Sequence, residues 1–185
     1  MRIGGGDRGG RRIKTKAKAR QGLRPTSSRA KTAIFNILPH DLSGRKALDL
    51  FAGSGALGLE ALSRGADLAV FVDAGREAFR LIQDNLRALD YRDRGQLLSK
   101  KAGPALQELR EHNARFDLVF MDPPYEKGLV AKTLLQIAEA GVLKPQGVVV
   151  VEHSAREMPA ESYPPLQLRD QRRYGDAWVS FYRME

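Results

Sequence analysis

The sequence predicts an α/β fold, a doubly wound and mostly parallel sheet behind a basic N-terminal extension. Three observations carry this reading. From Arg45 onward short apolar runs alternate with segments of helical period, a glycine-rich turn follows the first run, and the excess charge is gathered at one end of the chain. Residues 1–31 hold 11 Lys or Arg and one acid, Asp7, whereas residues 32–185 hold 20 basic and 21 acidic residues. The 185 residues suffice for one domain and an appendage. A chain of that size buries roughly 70% of its unfolded surface and needs no disulfide or structural metal to hold a core.

The extension comes first. Met1-Arg2-Ile3 and Arg12-Ile13-Lys14 alternate polar and apolar residues around the Gly-rich segment 4–10, the pattern of a two-stranded ribbon. Pro25 precedes Thr26-Ser27-Ser28, residue types that cap helix N-termini, and Ala30, Ala33, Ile34, Ile37 and Leu38 then repeat at the helical period up to Pro39. Residues 1–42 are therefore read as one unit and 43–185 as the other. Clustered Arg and Lys gain affinity for a phosphate backbone by releasing its counterions, so the extension is read as a nucleic-acid-binding arm, with a solvated tail as the alternative. Binding to a membrane surface needs an apolar face, which the nine basic residues of 1–24 leave no room for.

In the second unit the strand candidates are 47–51, 68–72, 96–99, 117–121 and 148–151. Helical patterns fill the gaps at 56–64, 76–89, 104–112 and 129–140, so the strands form βαβ units and a sheet covered on both faces. Beyond Pro164-Pro165, Leu166-Gln167-Leu168 and the run 178–182 alternate enough to be antiparallel edge strands.

Composition removes several classes of chemistry. With no Cys there is no Cys-based zinc or iron–sulfur site and no thiolate nucleophile. His40, His112 and His153 are scattered without partners at ligand spacing, so no metal is expected and each is read as structural or solvated. No apolar run approaches the 18 or so residues of a membrane span, and the basic N-terminus lacks the apolar segment of a secretory signal. A cytoplasmic location is expected.

The first strand runs into Asp49-Leu50-Phe51-Ala52-Gly53-Ser54-Gly55-Ala56-Leu57-Gly58. Gly53, Gly55 and Gly58 have the spacing of a nucleotide-binding turn, in which missing side chains let a ligand approach the backbone and let the next helix pack closely. Twenty residues after Gly53, at the end of the second strand, Asp73 stands where a carboxylate accepts ribose hydroxyls; its alternative role is to cap the following helix. Both features suit a nicotinamide dinucleotide and S-adenosylmethionine equally.

The fourth strand separates them. It delivers Asp122-Pro123-Pro124-Tyr125 to the carboxyl end of the sheet, a tetrapeptide expected by chance roughly once in a thousand such chains. The exocyclic amine of a purine is a poor nucleophile because its lone pair is delocalised into the ring. A carboxylate (Asp122) and a carbonyl (Pro123) can accept its two hydrogens and favour a pyramidal nitrogen aimed at a methyl donor. Two prolines fix that backbone, and Tyr125 can stack on a flipped base.

Those four residues resemble the signature of S-adenosylmethionine-dependent amino-methyltransferases. Met1-Arg2-Ile3 with its Gly-Arg-rich continuation, Leu23-Arg24-Pro25-Thr26, Ile34-Phe35-Asn36-Ile37-Leu38, the run 49–66 and Arg173-Tyr174-Gly175 narrow the match. Together they resemble the bacterial 16S ribosomal RNA guanine-N2 methyltransferases of the RsmD type, whose substrate is guanosine 966. The resemblance implies a Rossmann-like domain with S-adenosylmethionine as cofactor. Asp49, Phe51, Gly53 and Gly55 would line its methionine end, Asp73 would bind its ribose, and Asp122, Pro123, Pro124 and Tyr125 would hold the target base. Arg8, Arg11, Arg12, Lys14 and Arg24 become the expected RNA-binding residues, on 16S ribosomal RNA or a small-subunit particle, for a protein expected to be a monomer. Two positions depart from the family. Lys31-Thr32 stands where its first helix continues with an Arg-Glu pair, and Ser99-Lys100-Lys101-Ala102 stands where an acid lies near the adenine. Methylation of adenine N6 in DNA or RNA is the alternative reading.

Overall fold

The computed structural model describes residues 1–15 and 28–185. In chain order these form α1 (Ser28–Ile37), β1 (Lys46–Leu50), α2 (Ala56–Ser63), β2 (Leu68–Val72), α3 (Arg76–Leu89), β3 (Gly95–Leu98), α4 (Ala102–Glu111), β4 (Phe116–Met121), α5 (Leu129–Ala140), β5 (Leu143–Ser154), β6 (Ser162–Tyr163), β7 (Leu166–Tyr174) and β8 (Ala177–Met184). One eight-stranded sheet has the order β3-β2-β1-β4-β5-β8-β7-β6. Strands β1 to β5 pair in parallel, and β8, β7 and β6 continue the sheet antiparallel. Neighbouring connections run in opposite directions from β1, and the crevice where they part is where open α/β sheets hold ligands.

Side chains alternate between the two faces of each central strand, so each face has its own core. On one side Ala47, Phe71, Leu118, Phe120 and Val150 pack against α1, α2 and α3; on the other Leu48, Val70, Val119 and Val149 pack against α4 and α5. Helix α4 begins two residues before the expected position. Pro104 falls in its first turn, where an amide N–H has no helical partner to lose.

Strand β5 is longer than the apolar run 148–151 suggests. It continues through Glu152, His153 and Ser154 because their backbones pair with Val179, Trp178 and Ala177 of β8, a ladder indifferent to side-chain polarity. The tail is antiparallel as expected, yet β8 is not an edge strand. It lies between β5 and β7, and the two-residue β6 takes the edge. His153 is buried and bonded through its ring nitrogens to Ser180 Oγ and the Ser154 carbonyl oxygen, a structural histidine.

The glycine-rich start does form a ribbon, bridged at Arg2 and Arg12. It lies against α2 and α3 because Ile3 and Ile13 enter the first core. The polar fastenings converge on Glu60 of α2. Its carboxylate accepts the Gly4 N–H (2.7 Å) and the Arg64 Nε–H (3.1 Å), and it forms a buried ion pair with Lys31 of α1. Lys31 Nζ also donates to the Arg2 carbonyl oxygen (2.9 Å). The pair that the Lys31-Thr32 departure seemed to remove is thus made across the fold, with Glu60 in place of a neighbour in sequence. Arg24 and the capping stretch Pro25-Thr26-Ser27 lie outside the described residues.

Candidate active site at the carboxyl ends of the central strands

β1, β2, β4 and β5 end side by side, and each delivers an acidic residue there: Asp49, Asp73, Asp122 and Glu152. Phe51 opens the first turn in the left-handed region (φ 57°), a conformation that costs a non-glycine residue about 1–3 kcal/mol. Gly53 (φ 56°) and Gly55 (φ 77°) continue it, and a Cβ on Gly53 would meet nothing closer than 3.9 Å, so the backbone there is approachable. Gly58 serves the opposite purpose. A Cβ there would come within 2.4 Å of the Phe71 ring, which fixes how closely α2 lies on β2. Gly58→Ala is expected to lower stability by about 1–3 kcal/mol, read as a fall in the urea midpoint with unchanged m value. An unaltered midpoint would show that the helix shifts freely.

Asp49 is buried beneath the turn, where its carboxylate accepts the Gly58 N–H at 2.9 Å. Burial raises its pKa well above the usual carboxylate range; the charges of Asp122 and Asp73 add to this, and the Gly58 hydrogen bond opposes it. Asp73 is half-buried and braces the turn from β2. One carboxylate oxygen accepts the Gly53 N–H (2.9 Å) and the other the Gly75 N–H (2.8 Å), the latter just before α3. It thus supports the glycine turn and the helix start, with lone pairs remaining on both oxygens for a further donor.

Beyond β4, Asp122 is half-buried, Pro123 buried, Pro124 exposed and Tyr125 half-buried. The loop is held from the end of β5. Glu157 accepts the Glu126 N–H at 2.8 Å, and the Tyr125 hydroxyl donates to Glu152 Oε1 at 3.0 Å. Burial and the nearby Asp122 charge push the Glu152 carboxyl up to about 8, against the effect of the Tyr125 hydrogen bond. The run 148–151 hides Glu152 from sequence reasoning, although an acid closing an apolar strand is the same signal that marks Asp122.

Asn85 was also missed. It sits at core spacing between Ile82 and Leu89 on α3, and its side-chain N–H groups donate to the carbonyl oxygens of Lys14 (2.9 Å) and Ser54 (3.0 Å). It joins the ribbon to the glycine turn. Of the basic residues singled out, Arg8 donates to the Leu89 carbonyl oxygen and lies over the Tyr91 ring, and Lys14 pairs with Asp84 at 3.0 Å. Arg11 and Arg12 are exposed. Lys100 and Lys101, after β3, are exposed too, and Lys100 pairs with Glu108.

Over residues 1–183 the chain matches the family described as Conserved hypothetical protein 95. It is 34% identical over 183 residues to YlbH of Bacillus subtilis (strain 168), which spans 99% of this chain and 98% of that protein. It is 35% identical over 152 residues to Ribosomal RNA small subunit methyltransferase D of Escherichia coli (strain K12), 82% of this chain and 74% of that one. The solved structure of yhhF from Escherichia coli superposes with a TM-score of 0.84 at 30% identity, covering 100% of this chain and 98% of that one. The family match over residues 1–183 takes in ribbon, glycine turn, Asp-Pro-Pro-Tyr loop and nearly all of the antiparallel tail, and the chain belongs to this family, the RsmD type of ribosomal RNA methyltransferase.

Proposed function

We propose that the protein methylates the exocyclic N2 amine of a guanine in small-subunit (16S) ribosomal RNA, guanosine 966, with S-adenosylmethionine as methyl donor. The observation that carries this is the place of Asp122-Pro123-Pro124-Tyr125, at the carboxyl end of β4 beside the open glycine turn. When bound, S-adenosylmethionine supplies an electrophilic methyl group on a sulfonium centre. The open backbone at Gly53 and the remaining lone pairs of Asp73 fit its amino-acid and ribose portions, Gly55 keeps the turn close on Phe71 and Ile82, and Asp49 and Phe51 shape the floor of the turn.

The chain's own contribution is alignment and charge complementarity. Asp122 and the Pro123 carbonyl accept the two amine hydrogens and turn the nitrogen lone pair out of the ring plane. Pro123 and Pro124 keep these acceptors from relaxing, and Tyr125 stacks on the base. As the new N–C bond forms, the methyl–sulfur bond would break with its electron pair left on a neutral thioether, and the nitrogen must lose one hydrogen as a proton, which Asp122, already its acceptor, takes. Residues 1–42 form the RNA-binding part, with Arg8, Arg11, Arg12, Lys14 and Arg24 on phosphates, and residues 43–185 form the catalytic part. We place the protein in the cytoplasm as a monomer; no helix of the described residues is long and apolar enough to cross a membrane.

Adenine N6 is the other substrate that Asp-Pro-Pro-Tyr can serve. A DNA adenine methyltransferase carries a sizeable region to read duplex sequence, and the described residues form one sheet with its helices and a short ribbon. A structured RNA with an unpaired target spares the few kcal/mol that flipping from a duplex requires. Mass spectrometry of nucleosides from small-subunit RNA treated with protein and cofactor tests the reading. N2-methylguanosine supports it, and N6-methyladenosine overturns the substrate. Asp73→Ala is expected to weaken S-adenosylmethionine by about 1.5–3 kcal/mol in calorimetry, through lost ribose bonds and a loosened Gly53 N–H. Unchanged affinity would remove Asp73 from the cofactor site.

A further inference from the structure

Glu152 has no part in the alignment described above, yet it is built into the same site. It is 5% exposed, its Oε1 accepts the hydrogen bond of the Tyr125 hydroxyl, and its Oε2 is buried without a hydrogen-bond partner among the described residues. Buried polar atoms are nearly always partnered, and an orphaned one calls for an explanation. The strand register supplies its place. Met121 pairs with Val151, so Asp122 and Glu152 stand one step further on, side by side on adjacent parallel strands, close enough for the charge of Asp122 to act on Glu152.

Resting on the guanine reading above, we propose that Glu152 selects the base, its carboxyl pairing with the N1–H and O6 edge that guanine carries beside N2 and adenine lacks. A carboxyl group accepts the N1–H in either protonation state. Burial and the Asp122 charge favour the neutral acid, which also offers an O–H to O6, so donor and acceptor match the lactam edge as a pair. Adenine held by its own amine sets an N1 lone pair and a C–H at the same place, which leaves the acceptor of Glu152 unmet. Tyr125, bonded to Glu152, keeps the carboxyl turned toward the base it stacks on.

The test compares RNA fragments with guanine or 2-aminopurine at the methylated position; 2-aminopurine keeps the N2 amine but lacks both N1–H and O6. Wild-type kcat/KM should fall on the order of tenfold or more with 2-aminopurine, as for loss of hydrogen bonds to a buried polar group. Glu152→Gln, whose amide offers the same acceptor and donor, should keep this preference. Glu152→Met should lose it, its rate on guanine dropping to that on 2-aminopurine while cofactor affinity and thermal unfolding report an intact fold. Equal use of the two bases by the wild type overturns the assignment even if Glu152→Met does not fold. So does a Glu152→Met protein with the wild-type preference. No N2 methylation of guanine by the wild type overturns the underlying substrate reading, and this inference with it.

Discussion

Asp122→Ala is expected to slow methyl transfer on the order of a thousandfold, the scale seen when a preorganised partner of the reacting atoms is removed, with S-adenosylmethionine affinity kept within a few fold. The residue follows Met121, the last of β4, on the side of the crevice proposed above for the base, whereas the groups proposed for the cofactor lie on the glycine turn and just after β2. The substitution also removes a negative charge that acts on both Asp49 and Glu152, so their carboxyls should ionise at lower pH than in the wild type. Asp122→Asn, which keeps an acceptor oxygen without the charge, should fall between the two. Transfer of labelled methyl groups to RNA, with calorimetry of cofactor binding in parallel, separates the two effects. Full turnover by the alanine variant would take Asp122 out of the catalytic group.

Lys31→Met should cost about 3 kcal/mol of stability. Removing one member of a buried ion pair strands the other, at about 3–5 kcal/mol. Here the Gly4 N–H and Arg64 still reach Glu60 and hold the loss near the lower end. For a domain of this size that is a fall in Tm of roughly 6 to 12 °C. Adding Glu60→Gln should recover part of it, because the stranded charge is then gone. The ribbon should also become a site of early proteolysis, since Lys31 holds the Arg2 carbonyl. A loss below about 1 kcal/mol would mean that the surrounding groups neutralise Glu60 unaided.

The parts legible in the sequence are those whose signals are contiguous in the chain. Gly53, Gly55 and Gly58 state a turn and a close helix contact within six positions, and both are found. Asp122-Pro123-Pro124-Tyr125 announces itself by its rarity and arrives at the expected carboxyl end of the sheet. Helix spans at 76–89 and 129–140 follow from apolar periodicity alone. What stayed hidden depends on partners far apart in sequence: Tyr125 with Glu152, 27 positions away, Lys31 with Glu60, 29 away, and Lys14 with Asn85, 71 away. A polar residue in an apolar run has no visible purpose until topology supplies its partner. The place of β8 was hidden likewise, because alternation shows that a strand has a wet and a dry side but not which neighbours flank it.

That place has a consequence for how the chain acquires its native state. β8 follows β7 in sequence but pairs between β7 and β5, so β7 and β6 cannot join the sheet until β8 has left the ribosome. Until then β5 presents a bare edge with the run Val148–Val151 beside Glu152, an apolar template for pairing with another nascent chain. Slow synthesis over the codons of β8, or a stop codon before Ala177, would therefore show itself first as aggregation. A truncated product would keep the β4–β5 register that sets Glu152 beside Asp122 but lack Val179, which pairs with Glu152 from its other side.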